Sequence, residues 1–148
     1  MFDLKTTTIS TIIADERDAI ANMANVASYL FHSLHDVNWV GFYRFNGTEL
    51  VLGPFQGKPA CIRIAMGRGV CGSAAEQRMT LLVHDVTEFP GHIACDVASQ
   101  SELVVPMLLG DRLVGVLDID SPRHGRFTDD EARLCEDVVQ LLVDGSDW

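Results

Sequence analysis

Two turn signatures constrain this chain most, because each joins a pair of apolar, β-favouring runs and both lie between helical stretches. Asn46-Gly47 separates residues 38–45 from residues 49–56, and both turn positions tolerate positive φ, so the two runs read as a hairpin. Gly110-Asp111 joins residues 103–109 to residues 112–120 in the same way. Residues 61–64 alternate apolar side chains with Arg63 and read as a short third strand. Residues 81–83 read as a further brief strand, and residues 70–77, after Gly67-Arg68-Gly69, as one or two helical turns. Ile20, Met23, Ala24, Ala27, Leu30, Phe31 and Leu34 recur at three- and four-residue spacing, which predicts an amphipathic helix over 15–35 with Asp15 or Asp18 placed to cap it. Thr128-Asp129-Asp130-Glu131 has the form of a capping box, and Ala132, Cys135, Val138, Val139 and Leu142 supply the inner face of the helix it opens. The order is helix, strand pair, irregular middle, strand pair, helix. It predicts an α+β fold: an antiparallel sheet with the two terminal helices packed on one face and the connecting loops on the other.

A chain of 148 residues with 47% apolar side chains has enough material for one domain with a real core. The formal charge of −10 provides no basic stripe to neutralise phosphates, which excludes nucleic acid as a partner and disfavours anionic membrane surfaces. No apolar run approaches the roughly 20 residues that span a bilayer. The first residues, Met1-Phe2-Asp3-Leu4-Lys5-Thr6, lack the basic flank and apolar stretch of a signal peptide, so a cytoplasmic location is expected. Thiols there are kept reduced, and a disulfide in such a chain is more often transient and catalytic than structural.

Cys61, Cys71 and Cys95 fall in the middle third without CxxC pairing, and no histidine spacing suggests a zinc site. Cys95 lies in the long segment 84–100, which has no sustained periodicity and is expected to be exposed. Cys71 is near the start of a short helix, where backbone amides favour a thiolate. Cys61 opens the third strand, and Cys135 fits the inner stripe of the last helix as plain core. Small cysteines also fill cores without any chemistry.

Asp118 and Asp120, two apart on a strand, share a face, while Leu117 and Ile119 point to the other. Two carboxylates at close quarters repel, so one should hold its proton to higher pH and act as an acid near neutrality. The pair is equally suited to an ammonium group, or to a solvated strand end before Ser121-Pro122. Glu102 opens the preceding strand and reads either as a third acid or as a polar edge residue. Trp39 and Tyr43 share a strand face with Gly41, either as ordinary packing or as a wall for a thioether or methyl group. Five histidines are scattered. Only His92 is close in sequence to a reactive candidate, and no role is assigned to it. The glycines around Cys71 match no phosphate-binding loop or dinucleotide fingerprint.

Taken together, Asn38-Trp39-Val40-Gly41-Phe42-Tyr43, Leu52-Gly53-Pro54-Phe55-Gln56-Gly57-Lys58, Gly67-Arg68-Gly69-Val70-Cys71-Gly72, Gly91-His92-Ile93-Ala94-Cys95-Asp96, Ser101-Glu102-Leu103-Val104-Val105-Pro106 and Gly115-Val116-Leu117-Asp118-Ile119-Asp120-Ser121 resemble the free methionine-(R)-sulfoxide reductases, which are single GAF domains. The matching blocks run from about Trp39 to Glu131. Pro59, before Ala60-Cys61, departs locally from the pattern and removes no reacting group.

The resemblance implies a single GAF-like catalytic domain across residues 1–148, with the active-site loops on the sheet face opposite the terminal helices. It implies reduction of free methionine sulfoxide, R-specifically, with Cys95 as attacking cysteine, Cys61 as principal resolving cysteine and Cys71 as the other motif cysteine. Glu102, Asp118 and Asp120 match the acidic substrate-site residues, and Trp39 and Tyr43 the pocket aromatics. It further implies a sulfenic acid and an intramolecular disulfide, thioredoxin as reductant, a homodimer, and no metal or organic cofactor. Two rival readings use the same residues: a non-catalytic GAF module that senses a small ligand, and a thiol redox sensor. Turnover separates them from an enzyme, since a sensor is oxidised once and stops.

Overall fold

A computed structural model describes residues 4–92 and 98–148. The chain runs through α1 (Thr6–Ile13), α2 (Ala19–Ser33), β1 (Trp39–Phe45), β2 (Glu49–Gly57), β3 (Arg63–Ala65), α3 (Gly69–Gln77), β4 (Leu81–Val83), a 3-10 turn (Val86–Glu88), β5 (Ser101–Leu109), β6 (Arg112–Ser121) and α4 (Asp129–Asp144). The six strands form one sheet in the order β3-β2-β1-β6-β5-β4, with every neighbouring pair antiparallel.

Strand alternation divides the interior in two. Val40 and Phe42 of β1, Leu103 and Val105 of β5, and Leu117 and Ile119 of β6 face α1, α2 and α4. Trp39 and Tyr43 of β1, Val104 of β5 and Val116 of β6 face α3 on the other side. The predicted α+β sheet with terminal helices on one face is the fold observed. In α4 the capping box is complete: the Thr128 hydroxyl accepts from the Glu131 amide, and the Glu131 carboxylate accepts from the Thr128 amide. Such a cap contributes about 1 kcal/mol. Ala132, Cys135, Val138, Val139 and Leu142 are all buried beneath it.

The N-terminal region departs from expectation. The helix expected over 15–35 is α2, which begins after Asp18, whose carboxylate accepts from the Ala21 amide, and a further helix, α1, precedes it. The sequence of α1, Thr-Thr-Thr-Ile-Ser-Thr-Ile-Ile, is rich in β-branched residues of low helix propensity. It is helical because Ile9 and Ile13, one turn apart, are both buried in the core shared with α4. Ile20 holds the same angular position as Ala27, seven residues on, yet it lies in the first turn and is 59% exposed. Periodicity gives a direction, not a neighbour.

Two further corrections concern strand ends. Cys61 precedes β3 rather than opening it, because pairing with β2 starts at Arg63 opposite Val51. In the first hairpin the Asn46 amide bonds the Glu49 carbonyl, which makes Gly47 and Thr48 the central turn residues. The Asn46 side chain accepts from the amides of Thr48 and Glu49, each at 2.9 Å, so it templates the turn from outside. No helix among the described residues is long and apolar enough to cross a membrane.

Candidate active site

A pocket opens on the α3 face of the sheet. β1 supplies Trp39 and Tyr43, β5 supplies Glu102, and β6 supplies Asp118 and Asp120. The start of α3 supplies Gly69 and Cys71, and Lys58, Pro59 and Ala60 form the rim after β2. His92 and Ser99 line it from the segment before β5. Residues 93–97, and with them the candidate nucleophile Cys95, lie outside the described residues.

The apolar wall is a three-ring stack. The Trp39 indole lies 5.2 Å from the Phe55 ring at 16° and 5.9 Å from the Tyr43 ring at 23°. The indole lies flat along β1 because Gly41 has no side chain: a Cβ there would stand 2.6 Å from Trp39 Cη2. Gly57 serves the other edge, where a Cβ would stand 2.5 Å from Trp39 Cδ1. The polar ends of the two rings tie down the rim. Trp39 Nε1 donates to the Lys58 carbonyl at 3.1 Å, and the Tyr43 hydroxyl donates to the Cys61 carbonyl at 3.0 Å.

Opposite the stack is a buried acid cluster. Cys71 Sγ donates to Glu102 Oε2 at 3.8 Å, within the longer reach of sulfur. Glu102 and Asp118 are hydrogen-bonded to one another, and both are buried. Burial first, and then the charges of Asp118 and Asp120, hold the Glu102 carboxyl well above the usual range. Burial also raises Asp118, opposed by its hydrogen bonding with Glu102 and Cys71. Both carboxyls are thus held above their ordinary range, so the pair retains a proton to higher pH. Asp118 keeps one buried oxygen, Oδ1, without a partner among the described residues. Burial and the neighbouring acids likewise push the Cys71 thiol up. Desolvation and three nearby carboxyls thus act against the thiolate that the amides of α3 would favour.

Asp118 and Asp120 share a face, as alternation requires, and Asp118 also meets Glu102 on β5. In the β5–β6 register Glu102 faces Asp120 and Val104 faces Asp118, which sets Glu102 diagonal to Asp118. Glu102 is not a polar edge residue, because β4 covers β5 on its other side.

A GAF domain family model matches residues 7–143. The chain is 50% identical over 133 residues to the free methionine-R-sulfoxide reductase of Escherichia coli (strain K12), covering 89% of this chain and 81% of that protein. It belongs to the free methionine-(R)-sulfoxide reductase family of GAF domains. Among solved members, fRMsr of Staphylococcus aureus in its reduced form superposes with a TM-score of 0.92 at 45% identity, over 95% of this chain and 91% of that one. The free methionine-R-sulfoxide reductase of Neisseria meningitidis, in complex with its substrate, gives 0.92 at 39% identity, over 98% and 93%.

Of the residues singled out from this family member's sequence, Trp39, Tyr43, Cys71, Glu102, Asp118 and Asp120 meet in one pocket. Cys61 stands at the rim through its carbonyl, and its sulfur is in a disulfide. Cys71 and Cys135 are free thiols. Cys135 is core on the helical side of the sheet, where burial pushes its thiol up to about 12. Sequence reasoning missed Phe55, which comes to lie opposite Gly41 only through the register shift in the β1–β2 hairpin. It gave His92 no role. His92 lines the pocket, with burial lowering its pKa toward a neutral imidazole. Nothing in the sequence pointed to Ser99 or to the Lys58 carbonyl.

Proposed function

We propose that this chain is a thiol-dependent reductase that converts free L-methionine (R)-S-oxide to methionine. The observation that carries the reading is the meeting of an aromatic stack with the Cys71–Glu102–Asp118 cluster in a single pocket. The substrate is assigned on the names of the relatives that share the fold at high identity.

Trp39 and Tyr43 wall the methyl and thioether end of the substrate. Asp118, whose Oδ1 has no partner among the described residues, and Asp120 accept hydrogen bonds from its ammonium. The Cys95 thiolate attacks the sulfoxide sulfur and forms a transient S–S bond to it, while Glu102, which carries a proton in this scheme, gives it to the sulfoxide oxygen. The protonated oxygen then passes to the Cys95 sulfur as the transient S–S bond and the substrate S–O bond break, leaving methionine and a Cys95 sulfenic acid. The substrate sulfur is reduced by two electrons and Cys95 is oxidised by two. Cys61 then attacks the sulfenic sulfur, water leaves, and a Cys61–Cys95 disulfide forms. A thioredoxin dithiol returns the two electrons by exchange. The pairing is assigned on the family resemblance, and a disulfide-bonded Cys61 suits the resolving role. Cys71, neutral and bonded to Glu102, belongs to the substrate site rather than to the attack.

Two buried free thiols suit a reducing compartment, which supports a cytoplasmic location. We assign the homodimer on the family resemblance, and sedimentation checks it. The deciding assay couples NADPH consumption to thioredoxin, thioredoxin reductase and free methionine (R)-sulfoxide. Sustained consumption matched by methionine release is expected. Oxidation that stops after one equivalent per chain would replace the enzyme with a redox sensor.

A further inference from the structure

Cys71, Glu102 and Asp118 come from α3, β5 and β6, and their spacing in sequence matches no metal motif. Folding brings one donor atom of each within 4.8 Å of the others. Their residues are only 4%, 7% and 6% exposed. At tetrahedral zinc, bond lengths of about 2.3 Å to sulfur and about 2.0 Å to oxygen place neighbouring S and O ligands roughly 3.5 Å apart. The Cys71 Sγ to Glu102 Oε2 separation is 3.8 Å, a few tenths of an ångström beyond that spacing. A second observation points the same way. Asp118 Oδ1 is a buried oxygen without a partner among the described residues, in a side chain that lines the pocket.

We propose that Cys71, Glu102 and Asp118 form a binding site for a borderline-soft divalent cation of the Zn2+ type, overlapping the position of the substrate ammonium. An ammonium ion uses only the carboxylates, and a thiol adds little to holding it. A thiolate with two carboxylates is a donor set that selects zinc-like ions over Ca2+ or Mg2+, which need more oxygens and no sulfur. Binding displaces the Cys71 thiol proton to solvent and forms a metal–sulfur bond, with no change of oxidation state. Three protein ligands leave the fourth position to water. Such an ion inhibits the reductase and takes no part in its chemistry. Only the overlap with substrate rests on the function proposed above. Binding of the ion does not.

The test uses the full chain carrying Cys61→Ser and Cys95→Ser, which leaves Cys71 and Cys135 as its thiols and cannot reduce substrate. Co2+ is titrated and the thiolate-to-cobalt charge-transfer band recorded. One equivalent with a tetrahedral spectrum is expected, and Zn2+ should displace it. Adding Cys71→Ser should abolish the band. Asp118→Asn should weaken Co2+ on the order of 10- to 100-fold or more, as ligand-shell losses do. Cys135→Ser should change nothing. Absence of a thiolate band, its survival in Cys71→Ser, or unchanged affinity in Asp118→Asn would overturn the site. Free methionine (R)-sulfoxide should raise the apparent Co2+ dissociation constant in proportion to its concentration, and indifference to it would overturn the overlap. Failure of the wild-type chain to turn over sulfoxide leaves the cobalt band unaffected, so the two readings fail separately.

Discussion

The hydroxyl of Tyr43 donates to the carbonyl of Cys61 at 3.0 Å, so a residue in the middle of β1 holds the backbone of the proposed resolving cysteine. The segment from Lys58 to Cys61 belongs to no strand, and this bond and the Trp39 bond to Lys58 anchor it to the sheet. Tyr43→Phe removes one bond and keeps the ring in the stack. A net hydrogen bond contributes about 1 kcal/mol. Recycling by thioredoxin should therefore slow roughly five- to tenfold, while methionine release in a single turnover stays near parental. Rapid-quench and steady-state assays on one preparation compare the two. Equal slowing of both would place Tyr43 in the first step instead.

Cys95→Ser should give no methionine even in a single turnover, because a hydroxyl does not replace the thiolate. Cys61→Ser should release one methionine per chain and then stall. Product counting without reductant checks both. A missing burst in Cys61→Ser would mean that Cys61 acts before or during attack.

Glu102→Gln tests the buried acid through pH. The folded chain holds the Glu102 proton to higher pH than the unfolded chain does, so the native state binds more protons. Stability from this group is fully present below the unfolded carboxyl value and is lost as pH rises through the raised folded value. Asp118 contributes with the same sign. Glu102→Gln should therefore flatten the decline of Tm from about pH 4.5 upward. It should match or exceed the parent in Tm at neutral pH while losing most activity. In the parent, activity should fall as pH rises through the Glu102 value, and the variant should lose that limb. Thermal melts and kcat/KM across pH provide both readouts. A variant that keeps full activity with the same pH profile would leave Glu102 no part in proton delivery.

Gly41→Ala inserts a methyl group against the Trp39 ring and the Phe55 Cβ. Overpacking of this kind costs about 1–3 kcal/mol. Tm should drop by several degrees and the indole fluorescence should shift, since the ring has to leave its bed. An unchanged emission spectrum would show that the stack tolerates the methyl group.

Acetylation of the substrate amine removes the partner of Asp118 and Asp120. An unpaired polar group in that pocket costs on the order of 1–3 kcal/mol, roughly ten- to a hundredfold in kcat/KM. The free, N-acetylated and peptide-embedded R-sulfoxides are compared under one recycling system. Equal efficiencies would rule out recognition of the free amino acid.

Much of this arrangement was legible because strand alternation and turn chemistry are local. Leu117 and Ile119 had to oppose Asp118 and Asp120, and Thr128 with Glu131 announced α4. What stayed hidden depended on tertiary partners. Ile9 and Ile13 are helical because α4 lies against α1, and no propensity says so. The pairing of Glu102 with Asp118 follows from the β5–β6 register, which is fixed only when both strands are in place. The three acids near Cys71 stayed hidden too, because their closeness is a property of the fold, not of its helix.

The two-sided use of β1 and β6 restricts how such a chain can change length. Substitution at one position disturbs one face. Insertion or deletion of a single residue within β6 would turn Leu117 and Ile119 toward the pocket and drive Asp118 and Asp120 among the apolar residues of the helical side. Binding chemistry and fold would be lost in the same event. Register in β6 therefore constrains the chemistry as firmly as any side chain, and a tolerated length change is expected in the loops.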